Sequence, residues 1–426
     1  MPFLTFNYKA FGSITKYLNS IEVTGTREGT DLLATQAADD SPVAQSLSMI
    51  IEEGVKARAS DIHIEPEAKK VRVRYRIDGI LHEVMSLPAG VVLPLTSRIK
   101  IMAGMNIADR LRPQDGQFSV DSKGKKIDIR VAIINTVHGE MTVMRLLDKS
   151  LGAKALPQLG LLPETQEKFE KMLTSPYGMV MISGPTGAGK TTTLYAAVNS
   201  LDRASRNIIT VEDPVEYRFD NINQIQVNPR AGVTFASGLR SIVRLDPDII
   251  LVGEIRDRET AEIAVQSALT GHLVLSSVHA NDTVGVIYRL LDLGVEPFLI
   301  SSSLIGVVAQ RMVRKICPYC ARPITGSLVE RVAYQQVTYE EVTDFVYGEG
   351  CKACVYTGYL GRTGIFEILP ITDPLRQLLI DRATAVKFRE QAEKEGMVTI
   401  AQDGMMKVKK GITTPYEVLR NIQLVE

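Results

Sequence analysis

The stretch Gly184-Pro185-Thr186-Gly187-Ala188-Gly189-Lys190-Thr191 has the spacing G-x-x-x-x-G-K-T. This is the pattern of a phosphate-binding loop, whose glycines let backbone N–H groups approach phosphate oxygens. MVMIS before it predicts a strand and TTTLYAAVNSL after it predicts a helix, the context the pattern requires. The amino terminus of that helix adds partial positive charge. In this reading Lys190 bridges the β- and γ-phosphates of ATP or GTP, Thr191 ligates Mg²⁺, and Thr192 adjoins the same site.

Three further segments carry polar groups at the ends of apolar runs. In LDPDIILVGEIRD, residues 249–252 predict a buried strand with Glu254 at its carboxyl end, where α/β sheets place ligands. A carboxylate there orients an attacking water or holds Mg²⁺ through water; the alternative is a plain ion pair with Arg256 or Arg258. In IITVEDPVEY the strand ends in Glu212 and Asp213, read either as a second pair of site carboxylates or as a capped turn before Pro214. In TGHLVLSSVHAND the strand is flanked by His272 and His279, which either contact the γ-phosphate or are structural. Arg240 and Arg244 stand at helical i, i+4 spacing. They reach phosphates in cis or from a neighbouring subunit, or they are surface charges.

Cys317-x-x-Cys320 and Cys351-x-x-Cys354 are the only cysteines, and 30 residues lie between the pairs. Two such pairs fit one tetrahedral Zn²⁺ held by four thiolates, a closed and therefore structural site.

Elements must hold these groups in place. From about residue 161, short apolar runs alternate with helical segments, as buried parallel strands do. This predicts an α/β nucleotide-binding core over 161–314, a cysteine-bearing subdomain over 315–365 and a helical tail over 366–426. In the tail Asp373-Pro374 and Thr414-Pro415-Tyr416-Glu417 read as helix starts, the latter with a capping-box Glu. Upstream, a helix begins after Ser41-Pro42. VRVRYRIDGILHEV then alternates Val71, Val73, Tyr75 and Ile77 with Arg72, Arg74 and Arg76, and Asp78-Gly79 makes a hairpin turn. The three arginines read first as a solvated face. KIDIRVAII sets Asp128 and Arg130 opposite Ile127, Ile129 and Val131. Residues 44–150 are thus an α+β domain with an antiparallel sheet, joined through a linker at 151–160. Residues 1–43 form a lead-in, read as a partly ordered terminus or a small docking helix.

The chain has 426 residues, 45% hydrophobic and 23% charged, with 49 basic and 49 acidic side chains. Such balance does not announce a nucleic-acid partner. No run approaches the length of a membrane-spanning helix, and the start lacks a secretory-signal layout, so the expected location is cytoplasmic.

SDIHIEP, RPQDG, GPTGAGKTTTLY, TVEDPVEY, DPDIILVGEIRD, GHLVLSSVHAND and the paired CxxC stand together in this order. The set closely resembles the assembly ATPases of type II secretion systems and type IV pili, over about residues 44–426. The resemblance implies a cytoplasmic homo-hexameric motor peripheral to the inner membrane. It implies a PAS-like amino-terminal domain, a RecA-like P-loop ATPase domain and a small zinc-binding insertion, with ATP, Mg²⁺ and Zn²⁺ as cofactors. The partners implied are inner-membrane platform or docking proteins, with membrane contact made through them and no nucleic acid. By position, Glu212 falls in the family's Asp box, Glu254 in its Walker B box, and His272 and His279 in its His box. Arg240 and Arg244 match arginines near the phosphates, and Arg130 matches one of two amino-terminal-domain arginines. The other departs: Gln117 stands where the family has arginine, with Arg112 near enough to substitute. The paired cysteines favour extension or secretion over pilus retraction.

Overall fold

In the computed structural model, residues 41–122, 124–148 and 154–422 are described; the lead-in over 1–40 and the linker residues 151–153 lie outside them. Two compact units are distinguished, each built on its own sheet.

The first unit opens with helix Pro42–Lys56, capped by Ser41, whose Oγ accepts the Ala44 N–H at 3.1 Å. Strands β1 (Ala59–Pro66), β2 (Lys70–Ile77), β3 (Ile80–Pro88), β4 (Gln114–Ser122), β5 (Lys125–Thr136) and β6 (Gly139–Asp148) pair antiparallel in the order β3-β2-β1-β6-β5-β4. Asp78 and Gly79 both take positive φ, 48° and 89°, as a tight two-residue hairpin demands. The alternation expected of β2 is seen: Val71, Val73, Tyr75 and Ile77 are buried. They share a core with Ile127, Ile129 and Val131 of β5 and with Leu47, Ile50, Leu95 and Ile99. The last four come from helices Pro42–Lys56 and Val92–Met102, which cover this face. The other face is polar, but its arginines are not simply solvated as the sequence suggested. Arg72 and Arg74 pair with Glu65 on β1 and Arg76 approaches Asp61, because cross-strand register puts these opposite charges side by side.

The second unit is a mixed α/β fold around a largely parallel sheet. Strands β7 (Gly178–Ser183), β8 (Ile208–Glu212), β9 (Asn223–Gln226), β10 (Ile249–Val252), β11 (Leu273–Val278), β12 (Leu304–Ile316) and β15 (Tyr359–Pro370) lie in the order β15-β12-β7-β11-β10-β8-β9. The pairings from β12 through β7, β11, β10 and β8 to β9 are all parallel. Every residue of β7, β8, β10 and β11 is buried. Helices cover both sides of these strands, so the apolar runs are continuous instead of alternating. Between β12 and β15 the chain makes the two-stranded sheet β13 (Ala321–Thr325) and β14 (Asp344–Gly348), with helix Leu328–Thr338 between them.

Among the described residues four helices form the tail. Thr372, not Asp373, occupies the cap position of helix Asp373–Ile380, and Asp373 is in its first turn. Thr414 caps the last helix as expected, accepting the Glu417 N–H at 3.2 Å. The Glu417 carboxylate is directed elsewhere: it is buried and accepts from Arg314 at 2.6 Å and from Arg420 at 2.9 Å.

Candidate functional site

Residues 184–189 connect β7 to helix Lys190–Ser200 at the carboxyl end of the parallel strands. Gly184, Gly187 and Gly189 take φ of 150°, 79° and 88°. A Cβ on Gly184 would come within 2.5 Å of the Gln310 carbonyl oxygen and 2.8 Å of Ala188 Cβ, so only glycine lets the loop lie this close to β12. Gly189 occupies the cap position of the following helix and no side chain caps it. The first-turn N–H groups therefore remain available to an anion. Pro185, Thr186, Gly187, Thr191 and Thr192 are exposed around this opening, while Ala188 is buried beneath it. Lys190 Nζ donates to the carbonyls of Gly184 at 2.8 Å and Pro185 at 3.3 Å. Burial lowers the lysine below its ordinary range; Glu254 opposes that shift and Arg311 reinforces it.

Glu254 follows β10 and is mostly shielded, with 14% of its side chain exposed. It pairs with Arg256, one of the two partners expected from sequence, while Arg258 pairs with Glu262 instead. His279 Nε2 lies 3.7 Å from the other carboxylate oxygen. Burial, then the nearby Lys190 cation, lowers His279 below the ordinary imidazole range against the pull of Glu254. Two serines fix this corner. Ser276 Oγ donates to the Val252 carbonyl at 2.8 Å and Ser277 Oγ to the Gly253 carbonyl at 2.7 Å, tying the end of β10 to β11. Lys190, Glu254 and His279 are thus brought together from three strands.

The remaining candidates are held by other partners. Glu212 is buried, and both its oxygens serve the protein. Tyr195 of the post-loop helix donates to Oε2, while Thr210 Oγ1 and Gln224 Nε2 donate to Oε1 at 2.6 and 3.1 Å. His272 precedes β11 and His279 follows it, so the strand separates them by roughly 20 Å. The His272 ring bonds the Ser267 carbonyl at 2.9 Å, away from the glycine loop. Arg240 pairs with Glu259 and Arg244 donates to the Arg240 carbonyl at 2.8 Å; both side chains are exposed rather than gathered with Lys190 and Glu254. Arg130 belongs to the first unit. Register sets it directly between Gln117 on β4 and Arg145 on β6, and the three line a concavity with Asp61 and Asp115. Arg112, the possible substitute for a second arginine, is highly exposed and lies 3.8 Å from Asp109.

Sequence reasoning missed Gln310 and Arg311. Gln310 Nε2 donates to the Ala188 carbonyl at 2.7 Å, clamping the glycine loop to β12. Arg311 is half-buried beside the same loop. No local spacing signals either one; the contact exists because β12 pairs with β7.

The sulfur atoms of Cys317, Cys320, Cys351 and Cys354 lie within 4.8 Å of one another. Cys351 and Cys354 sulfurs are 3.7 Å apart, close to the ~3.8 Å edge of a tetrahedral Zn–thiolate site. Cys317 and Cys354 are buried, and the Cys351 N–H points at Cys354 Sγ at 3.1 Å. Four convergent thiols with an N–H directed at sulfur fit a structural zinc.

The family model described as Type II/IV secretion system protein matches residues 36–420. The type IV pilus assembly ATPase PilB of Myxococcus xanthus is 45% identical over 407 residues, 95% of this chain and 72% of that protein. The type II secretion system ATPase E of Vibrio cholerae is 45% identical over 390 residues, 92% of this chain and 77% of that protein. Among solved structures, the Legionella pneumophila ATPase DotB aligns with a TM-score of 0.66 at 20% identity, covering 87% of this chain and 94% of that one. The pilus retraction motor PilT with bound ADP aligns at 0.59 and 24%, covering 88% and 96%. At these identities the two structures speak for the fold.

Proposed function

The chain belongs to the type II/IV secretion system protein family, and we propose that it is an ATP-hydrolysing motor that drives assembly of type IV pilus or type II secretion pseudopilus subunits. The observation that carries this reading is the convergence of Lys190, Glu254 and His279 beside an uncapped helix start at the carboxyl end of a parallel sheet. The relatives of highest coverage above are assembly and secretion ATPases.

In this reading the glycine loop is a phosphate-binding loop in a RecA-like domain. Its N–H groups and Lys190 hold the β- and γ-phosphates of ATP. Thr191 would hold Mg²⁺, which would supply charge neutralisation at the phosphates. Glu254 orients the attacking water, and His279, held neutral, contacts the γ-phosphate. Glu212 fastens the post-loop helix to β8 through Tyr195 and so acts by positioning. Arg240 and Arg244, exposed on their helix, serve a neighbouring protomer's phosphates in a homo-hexameric ring. Arg130 contributes from the PAS-like domain. The four cysteines hold Zn²⁺ as a structural clamp on the segment between β12 and β15. Domain limits of 44–150, 151–160, 161–314, 315–365 and 366–426 remain the proposed division. Among the described residues no helix is long and apolar enough to cross a membrane. On the family reading, the motor acts from the cytoplasmic side through inner-membrane platform or docking proteins.

The competing reading, a RecA-like nucleic-acid translocase, has no support in the relatives matched or in the balanced charge of 49 basic and 49 acidic residues. Substitution separates binding from chemistry. Glu254→Gln is expected to retain ATP binding and lose about a hundredfold or more in turnover, whereas Lys190→Ala weakens binding itself. Steady-state hydrolysis with nucleotide titration reads both; undiminished turnover in Glu254→Gln removes Glu254 from its role.

A further inference from the structure

Arg311 is placed beside the glycine loop by β12, whose Ala309 pairs with Ser183 of β7, so the next two residues run alongside Gly184 and Pro185. Its Nη1 lies 3.6 Å from the position a Cβ on Gly184 would take. The guanidinium makes no ion pair among the described residues. Nη1 donates to the Gln310 carbonyl at 3.0 Å and Nη2 to the Asn281 carbonyl at 2.6 Å. The two carboxylates that act on it electrostatically are committed. Asp282 binds Arg389 at 2.6 Å and the Gly285 N–H at 2.7 Å. Glu367 accepts from the Thr283 N–H at 2.9 Å, Thr283 Oγ1 at 2.5 Å and the Ile400 N–H at 3.3 Å.

Arg311 is therefore a half-buried cation close to a second one, Lys190, and the two repel. Its own proton affinity is lowered by burial, with Asp282 and Glu367 opposing. Carbonyl oxygens hold a guanidinium less strongly than a phosphate does, because a phosphate adds charge and accepts two parallel N–H bonds. Asn281 lies two residues beyond His279, so one of the carbonyls Arg311 holds belongs to the segment that faces the Glu254 corner.

We infer that Arg311 is a second cation for the terminal phosphate of the nucleotide, supplied by the same chain as the glycine loop, and that it exchanges its bond to the Asn281 carbonyl for that phosphate. This rests on the reading of the site as an ATP site. It also gives the chain a way to register the terminal phosphate in the His279–Asp282 segment. A purely structural Arg311 would pin that segment to β12 and treat all nucleotides alike.

The test is a titration of the full chain and its Arg311→Ala, Arg311→Gln and Arg311→Lys variants with a non-hydrolysable ATP analogue and with ADP, alongside thermal melting and ATP turnover. Arg311→Ala and Arg311→Gln are expected to lose about tenfold or more in affinity for the triphosphate, as a charge-assisted hydrogen bond implies, with a smaller loss for ADP. Arg311→Lys recovers part of the loss, since it keeps the charge but not the fork. Equal losses for both nucleotides together with a lowered melting temperature would make Arg311 a structural pin and overturn the inference. So would unchanged affinities in Arg311→Gln, which keeps a donor for the carbonyls and stays informative if Arg311→Ala does not fold. Failure of the unsubstituted chain to bind or hydrolyse ATP would instead overturn the ATPase reading itself.

Discussion

At the scale of single residues, His279 and Glu254 make the sharpest statement about chemistry. Burial, then the Lys190 cation, holds His279 below the ordinary imidazole range, which favours the neutral ring at neutral pH. A base with a lowered folded-state pKa resists protonation, and the neutral form is lost only below the ordinary range. If neutral His279 is the working form, the acid limb of the turnover profile lies below the ordinary imidazole range and disappears from the profile of His279→Ala. A pH–rate series on both proteins measures this, and an acid limb that persists in His279→Ala, or that lies above the ordinary imidazole range, would contradict it. Other roles at this scale were less legible. Glu212 and Glu254 look alike in sequence, each a carboxylate closing an apolar strand. One has both oxygens hydrogen-bonded by Tyr195, Thr210 and Gln224, while the other faces His279. Only the neighbours' positions separate them: Tyr195 comes from the post-loop helix, Gln224 from β9 and His279 from the end of β11.

At the scale of elements, the strands were legible because burial on both sides demands uninterrupted apolar runs, and β7, β8, β10 and β11 have them. The Asp78-Gly79 turn was legible for the same kind of reason, since its backbone conformation favours those residue types. Register across non-consecutive strands was not legible. It is what carries Gln310 and Arg311 to the glycine loop. The cysteine segment depends on elements in a different way. Its core is small, built around Tyr334 and Phe345 with tail residues Met405, Val408 and Val418. A Cys₄ zinc, worth on the order of 10 kcal/mol in small peptides, supplies much of its order in our reading. One zinc per chain is expected by elemental analysis. Cys354→Ser or strong chelation should open the stretch between β12 and β15 to proteolysis before the parallel sheet unfolds. Full protection after complete removal of metal would contradict the clamp.

At the scale of the whole molecule, the proposed ring explains why several candidate residues stand where they do. Within one chain Arg240 and Arg244 are exposed and apart from Lys190. Arg130 sits with Gln117 and Arg145 on the polar face of a separate sheet. Charged groups in such places suit a site completed by a neighbouring protomer. Sequence placed these residues in a family pattern, but it could not tell a cis contact from a trans one, because that depends on which surfaces meet in an assembly. The most direct measurement is steady-state ATP hydrolysis across a protein concentration series, with molecular mass determined at each point. Specific activity that rises with the fraction of hexamer is the result this account predicts. Full activity in a monomer, indifferent to concentration, would contradict it.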